Sequence, residues 1–349
     1  MISSGSKHIV FRVTWACLIM GAILVCAFAL DISYGDTQIP VGKVLKTVQQ
    51  HLVGAPVPAD DLLDTIVWDI RFPRALRALL VGAILAMSGA ALQGLLLNPL
   101  ADPYTVGVSS GAALGAGIAM LLGLEAVAWG YGVPLVAFVF AMAAMSLVYF
   151  LARSAGRVSI HSFLLAGVVV GSFLWALLSF VLALASGNPA QVQSQIVIWL
   201  LGSFDRGDSW AMVRLCAPFA ILGVGVLTAF ARDLNVFAMG EESARSLGIE
   251  TETFKIVIIV IASLITSAAV AVSGIIGFVG LVVPHTCRKL FGADHRVLIP
   301  ASALAGGSLT LFADLVSRAI LPPSGLPVGV VTAMLGAPFF LYLLKCSQK

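Results

Sequence analysis

The chain has 349 residues, 60% of them hydrophobic and only 11% charged, with a mean hydropathy of +1.04. Soluble domains of that length are nearer one quarter charged, so the composition excludes an ordinary globular enzyme and places the chain in the membrane class. A net charge of +3 is too small to point to nucleic acid.

A helix needs about 20 apolar residues to cross a hydrocarbon layer of about 30 Å. The apolar segments predict an all-α integral membrane fold, one transmembrane domain over 1–349. About ten spans fall near 10–30, 73–97, 105–124, 134–152, 162–186, 210–231, 254–273, 276–291, 298–320 and 328–345. The first follows Lys7 and Arg12 as a signal peptide would. It continues to Leu30, too long for such a peptide, and reads as a retained span. Residues 31–70 form a polar external excursion with a short amphipathic helix at 41–53. Residues 188–209 form a second, whose "VQSQIVIWLLGSF" is too short to cross. The five cysteines form no CxxC pair and read as small core residues rather than a disulfide or metal framework.

Lysine and arginine in the loops set the orientation. With the N-terminus inside, the inner side receives Lys7, Arg12, Arg153, Arg157, Arg232, Arg245, Lys255, Arg288, Lys289, Arg296, Lys345 and Lys349, twelve of twenty. Both termini are then cytoplasmic. Three of the outer eight crowd into "RFPRALR", against the trend.

An internal echo joins the halves. Ala86, Ser88, Gly89, Leu96 and Pro99 of "AMSGAALQGLLLNP" match Ala271, Ser273, Gly274, Leu281 and Pro284 of "AVSGIIGFVGLVVP" at one offset of 185. In the assigned topology the copies run in opposite directions, which reads as the inverted repeat of transporters, against a chance match among abundant Ala, Ser and Gly. Gly107, Gly111 and Gly115 line one helix face and predict close helix packing.

Pro99 and Pro103 in "NPLADP" cannot both sit in a regular helix. Freed backbone at membrane depth is tolerated against protein or a water-filled cavity. Asn98 and Leu100 therefore read either as lining a pathway near its inner end or as an interfacial turn. Asp314 reads as an i,i+4 partner of Arg318, or as a proton-relay acid in an ion-driven transporter. His161 and His285 fall near inner ends and read as structural before they read as ligands. No P-loop or HExxH is present, and no catalytic constellation is predicted.

The segment 234–250, "LNVFAMGEESARSLGIE", interrupts the apolar pattern between the sixth and seventh spans. It predicts two short helices broken at Gly240. Glu241 and Glu242 open the second, Arg245 closes it in keeping with the macrodipole, and Gly248 stops it. Met239, Ala244, Leu247 and Ile249 offer apolar knobs. The unit reads as a cytoplasmic docking knob, against the plainer reading of a solvated loop.

Four stretches together carry a resemblance across nearly the whole chain: "RFPRALRALLVGAILAMSGAALQGLLLNPLADPYTVGVSSGAALGA" (71–116), "MGEESARSLGI" (239–249), "GFVGLVVPHTCRKLFGADHRVLIPASALAGG" (277–307) and "LPVGVVTAMLGAPFFLYLL" (326–344). The chain resembles the iron-chelate and vitamin B12 uptake permeases, the membrane subunits of type II ABC importers. The resemblance implies ten transmembrane helices, a dimer of permeases with the pathway between them, two cytoplasmic ATPase subunits that hold the ATP and magnesium, and a periplasmic substrate-binding protein. The location it implies is a bacterial inner membrane. The substrate would be a ferric siderophore, haem or a cobalamin, with no cofactor or metal site in this chain.

By the same resemblance 234–250 would be the coupling helices, with Met239, Gly240, Glu241, Glu242, Ala244, Arg245, Leu247 and Gly248 facing the ATPase. Arg71, Arg74 and Arg318 would receive acidic residues of the binding protein. Asn98, Leu100, Ile160 and His161 would form the cytoplasmic gate. Two positions depart from the pattern: Ile160 and His161 stand where some relatives carry small hydroxyl residues, and Gly325 stands where an acid is common. The rivals are an ion-coupled secondary transporter, with Asp314 as coupling acid, and a non-transporting membrane scaffold or sensor.

Overall fold

The computed structural model describes residues 2–35, 37–54, 61–154, 157–185, 191–205, 207, 209–320 and 325–347. Parts of both excursions, including Arg206, lie outside the described residues.

The chain opens with α1 (Ile2–Ser33) and α2 (Val41–Val53). Then α3 (Leu62–Asp64) runs through a π-helical turn, Thr65–Arg71, into α4 (Phe72–Leu95) without a break. A 3-10 turn, Pro103–Val106, leads to α5 (Val108–Leu121), and another, Leu124–Ala126, precedes α6 (Gly132–Ala152). A small antiparallel hairpin, β1 (Arg153–Ser154) and β2 (Arg157–Val158), joins α6 to α7 (Ile160–Ala185). There follow α8 (Gln191–Leu200), α9 (Ser209–Ala229), α10 (Ala231–Phe237), α11 (Glu241–Ser246), α12 (Thr251–Ser273), α13 (Val279–Phe291), α14 (His295–Ile320) and α15 (Val328–Ser347).

Among the described residues seven helices are long and apolar enough to cross a membrane, and Val108–Leu121 and Val328–Leu341 are shorter apolar helices. Nine of the ten predicted spans overlap one of these helices; the tenth, 276–291, falls on the short amphipathic α13. The exceptions to full-length crossing are α5, with 14 residues, and α13, with 13. At 1.5 Å per residue each reaches only about 20 Å. Irregular chain flanks them at 96–107, which includes the 3-10 turn, and at 274–278, with Ala101, Pro103, Val106 and Ile276 buried and Leu97 and Leu100 exposed. The two segments are tied directly: the Tyr104 hydroxyl donates to the Ile276 carbonyl at 3.0 Å, and Ile276 N–H donates back to that hydroxyl at 3.2 Å.

The core is built around α4, buried from Val81 through Leu95. Its neighbours approach backbone to backbone. A Cβ on Gly82 would strike the Gly306 carbonyl of α14, and one on Gly89 would strike the Gly280 carbonyl of α13. The glycine stripe on α5 serves as predicted: Cβ atoms there would lie 2.6 Å from the Phe140 carbonyl at Gly111, and 2.7 Å from the Val136 carbonyl at Gly115. At the periphery α7 keeps Leu165, Val168, Val169, Phe173 and Phe180 exposed.

Two expectations are modified. The first excursion ends at residue 61 rather than 70, because the helix carrying "RFPRALR" starts at Leu62. From the excursion, the His51 ring stacks on Trp68 at 4.2 Å, and its Nε2 meets the Asp64 carboxylate at 2.9 Å, pinning the amphipathic α2 to the start of the next helix. The echo between 86–99 and 271–284 does not extend to the backbone. Residues 86–95 stay helical, whereas Gly274 (φ 71°, ψ −162°) ends α12, held against the Trp199 carbonyl. The two copies nonetheless touch, at Gly89 and Gly280.

Candidate coupling and gating site

The segment 234–250 folds as expected. Helices α10 and α11 are separated at Gly240, whose φ of 112° is a conformation that side chains rarely adopt. Glu241 and Glu242 open α11, Arg245 lies in its last turn, and Gly248 follows at φ 88°. Met239 and Leu247 are each about two-thirds exposed, so they form an apolar pair bracketing α11. Ala244 differs from expectation. It is fully buried and anchors the unit, because the small α11 turns that face onto the bundle. Arg245 donates to Thr251 Oγ1 at 3.2 Å and reaches Glu241 at 3.4 Å.

Two buried side chains behind α10–α11 went unrecognised in the sequence. Lys255, 2% exposed, donates to Glu241 at 3.1 Å, Glu252 at 2.8 Å and the Val158 carbonyl at 3.0 Å. Glu252 also accepts from Val158 N–H at 3.1 Å. His295, 3% exposed, places Nδ1 2.8 Å from Asn235 Oδ1, which also accepts from His295 N–H at 2.8 Å. Asn235 Nδ2 donates to Asp294 at 2.7 Å, which fixes the amide's orientation and makes Nδ1 the protonated ring nitrogen. Asp294 lies in the α13–α14 loop. Hydrogen bonds from Arg296 hold its carboxyl down to about 2, against partial burial, and Asn235 adds to the effect.

Of the gate candidates, Asn98 caps its own turn. Its Oδ1 accepts from Leu100 N–H at 2.9 Å, and its carbonyl accepts from Ala101 N–H at 3.1 Å. Leu100 is exposed. Gln93 Nε2 lies within 3.3 Å of the Gly280 and Leu281 carbonyls and ties the end of α4 to α13. Ile160 opens α7 half-buried and His161 is exposed. The two segments are neighbours, since α7 packs at Gly167 against the Thr105 carbonyl of the 3-10 turn.

At the other end of the bundle the three outer arginines are engaged within the chain. Arg71 is buried rather than presented outward. It donates to the carbonyls of Ile32 at 2.9 Å and Thr37 at 2.7 Å. The carbonyls at the end of α1 have no helical donors, and this guanidinium satisfies them. Arg74 Nε and Nη2 grip both oxygens of the fully buried Asp314 at 2.9 and 2.8 Å, while Nη1 pairs with Asp205. Arg318 Nε joins Asp314 at 3.2 Å, as the i,i+4 spacing predicts, and Nη2 pairs with Asp31. Burial pushes the Asp205 carboxyl up, but Arg74 and Ser203 outweigh it and hold it below the usual range. Among the described residues no group of three or more His, Cys, Asp or Glu could hold a metal ion.

A bundle of membrane-crossing helices, two of them short and flanked by irregular chain, with a capped pair of short helices at one end, is the build of a multi-pass transport permease. The sequence model of the FecCD transport family matches residues 23–345, and the chain belongs to that family. It is 44% identical over 335 residues to YvrB of Bacillus subtilis, an uncharacterized ABC transporter permease protein, covering 95% of this chain and 93% of that one. It is 42% identical over 328 residues to the cobalamin import system permease protein BtuC of Halobacterium salinarum, covering 89% and 86%. A solved inward-facing structure of a transporter assigned to the metal-chelate ABC type superposes with a TM-score of 0.82 at 28% identity, covering 94% of this chain and 98% of that one.

Proposed function

We propose that the chain is the membrane subunit of a type II ABC importer. It would move a bulky metal chelate inward at the expense of ATP bound by a partner. A corrinoid is the first candidate, since relatives covering most of this chain are named for cobalamin and vitamin B12 import; a ferric siderophore and haem are the others. The observation that carries this reading is the α10–α11 unit: Met239 and Leu247 stand exposed on a short capped helix whose inner side is tied down by Ala244 and Lys255. An apolar knob on a rigid base suits a groove on a cytoplasmic ATPase.

A second copy of the chain would complete the pathway. The bare apolar face of α7 and the exposed His161 at its start support a pathway wall shared between two permeases. The outer arginines would steer an acidic periplasmic binding protein as a partly neutralised cluster rather than as three free cations. Both termini would lie in the cytoplasm of a bacterial inner membrane. An ion-coupled carrier is not favoured, because Asp314 is held by Arg74 and Arg318 and offers no free carboxylate to a translocated proton.

The test is co-purification with the ATPase, followed by uptake of labelled cobalamin, ferric siderophore and haem into proteoliposomes. ATP-dependent uptake of one chelate is expected. Uptake driven by an ion gradient without ATP would overturn the reading.

A further inference from the structure

The docking unit has two buried polar contacts on its inner side, and they lead to different places. Lys255 joins Glu241, the first residue of α11, to Val158 in strand β2, two residues before the gate candidate Ile160. With Glu252 it holds both backbone groups of Val158. Asn235, on α10, holds His295, whose ring edge lies against Gly94 in the last turn of α4, four residues before Asn98. A Cβ at Gly94 would lie 2.9 Å from His295 Cε1 and closer still to Nε2, so the ring occupies the place of the missing side chain.

We infer that Lys255 and His295 are positioning residues that carry a displacement of α10–α11 to the two segments bearing the gate residues, Lys255 to the start of α7 and His295 to the end of α4. This rests on α10–α11 being the ATPase-docking unit. The physics of the two arms differs. A buried ammonium cannot lose its carboxylates without a large desolvation cost, so Lys255 and β2 follow when Glu241 moves. The His295 arm transmits by contact. The ring is held at Nδ1 and abuts helical backbone at Nε2, and close-packed interiors pass strain on rather than absorbing it.

The experiment uses the permease assembled with its ATPase in proteoliposomes, with ATP hydrolysis and chelate uptake measured on one preparation. Lys255→Met keeps the stem's packing and removes the charge. It is expected to assemble and hydrolyse ATP while uptake per ATP falls about tenfold, within the range typical of coupling between sites. Lys255→Arg is expected to recover part of the ratio. His295→Ala removes the contact and is expected to lower the ratio similarly; Gly94→Ala, which displaces the ring, is expected to lower it too, and Gly94→Ala/His295→Ala to fall no lower than either single variant.

A purely structural role would change complex yield and thermal midpoint but not uptake per ATP. The inference is overturned if Lys255→Met and His295→Ala couple like the wild type, or if the double variant does. Should Lys255→Met not assemble, the His295 and Gly94 variants decide. A wild-type permease that retains no ATPase would instead overturn the docking assignment.

Discussion

Replacing Arg74 with alanine is the most informative single perturbation at the outer end of the bundle. Arg74 makes two parallel hydrogen bonds to Asp314, which has no exposed surface, and one ion pair to Asp205, whose side chain is about half exposed. Asp205 can return to water, so its loss counts for little. Asp314 cannot. Removing one partner of a buried pair costs about 3–5 kcal/mol, because the surviving charge is stranded. Arg318 still contacts Asp314 at 3.2 Å, which places the expected loss near the lower figure. About 3 kcal/mol is more than a hundredfold in the folding equilibrium, a large share of typical stability. The assay is a double-mutant cycle on thermal or denaturant stability in detergent with Arg74→Ala, Asp314→Asn and their combination. The double variant should be less destabilised than the sum of the singles by about 2 kcal/mol, since no carboxylate remains to be stranded. Wild-type stability for Arg74→Ala, or strict additivity, would refute the structural role assigned to this pair and return Arg74 to the surface as a free docking cation.

Further expectations concern the inner face and the binding protein. Leu247→Asp should leave the permease folded but detach the ATPase, because it sets an unpaired charge on the apolar knob; retention of the ATPase on a detergent column would remove that assignment. Asn98→Ala deletes the cap on Leu100 N–H and should change basal ATPase activity or uptake without changing affinity for the binding protein; a wild-type transport rate would leave the loop a structural turn. Docking of the binding protein to the wild-type permease should weaken as salt rises, and an affinity independent of salt would exclude steering by the outer charges. The Asp294 carboxyl, held at about 2 in the folded chain, lies below its unfolded value. Its stabilisation is therefore complete above about pH 4 and is lost as pH falls toward 2. Asp294→Asn should lower stability at neutral pH and flatten the acid limb over that window, as read by unfolding at a series of pH values.

The helices were legible because each is written locally, as a run of apolar residues or as a glycine and a cap in the right order. The break at "NPLADP", the stripe on α5 and the divided unit at Gly240 all follow from residues within one turn of each other. What escaped was long-range. Asp314 and Arg318 are four apart and could be paired by eye, whereas the stronger grip on Asp314 comes from Arg74, 240 positions away. Arg71 looked like an outward charge because nothing in "RFPRALR" reveals that the end of α1 lies over it. Lys255 counted as one more inner-side cation, since a lysine in the first turn of a span carries no local sign that two glutamates and a strand carbonyl will close around it. Ala244 reads as a knob in the sequence because helical spacing does not say which face of so short a helix is turned inward.

The glycine contacts between α4 and its neighbours also bear on which parts of the chain are free to swing. Where Gly82 meets Gly306 and Gly89 meets Gly280, backbone lies on backbone with no side chain between to act as a bearing. Rods so joined cannot slide past one another by a residue or part by an ångström without opening a void, so α4, α13 and α14 behave as a stator. The thin leaf is α7, bare along much of its length and seated on the rest chiefly through α5, α6 and the turn at 103–106. A machine divided in this way concentrates its tolerance for change on the leaf. If α7 walls the proposed passage, its width and chemistry can be retuned through exposed α7 side chains such as Val168 and Phe173, while a single added methyl on the stator seam would jam it.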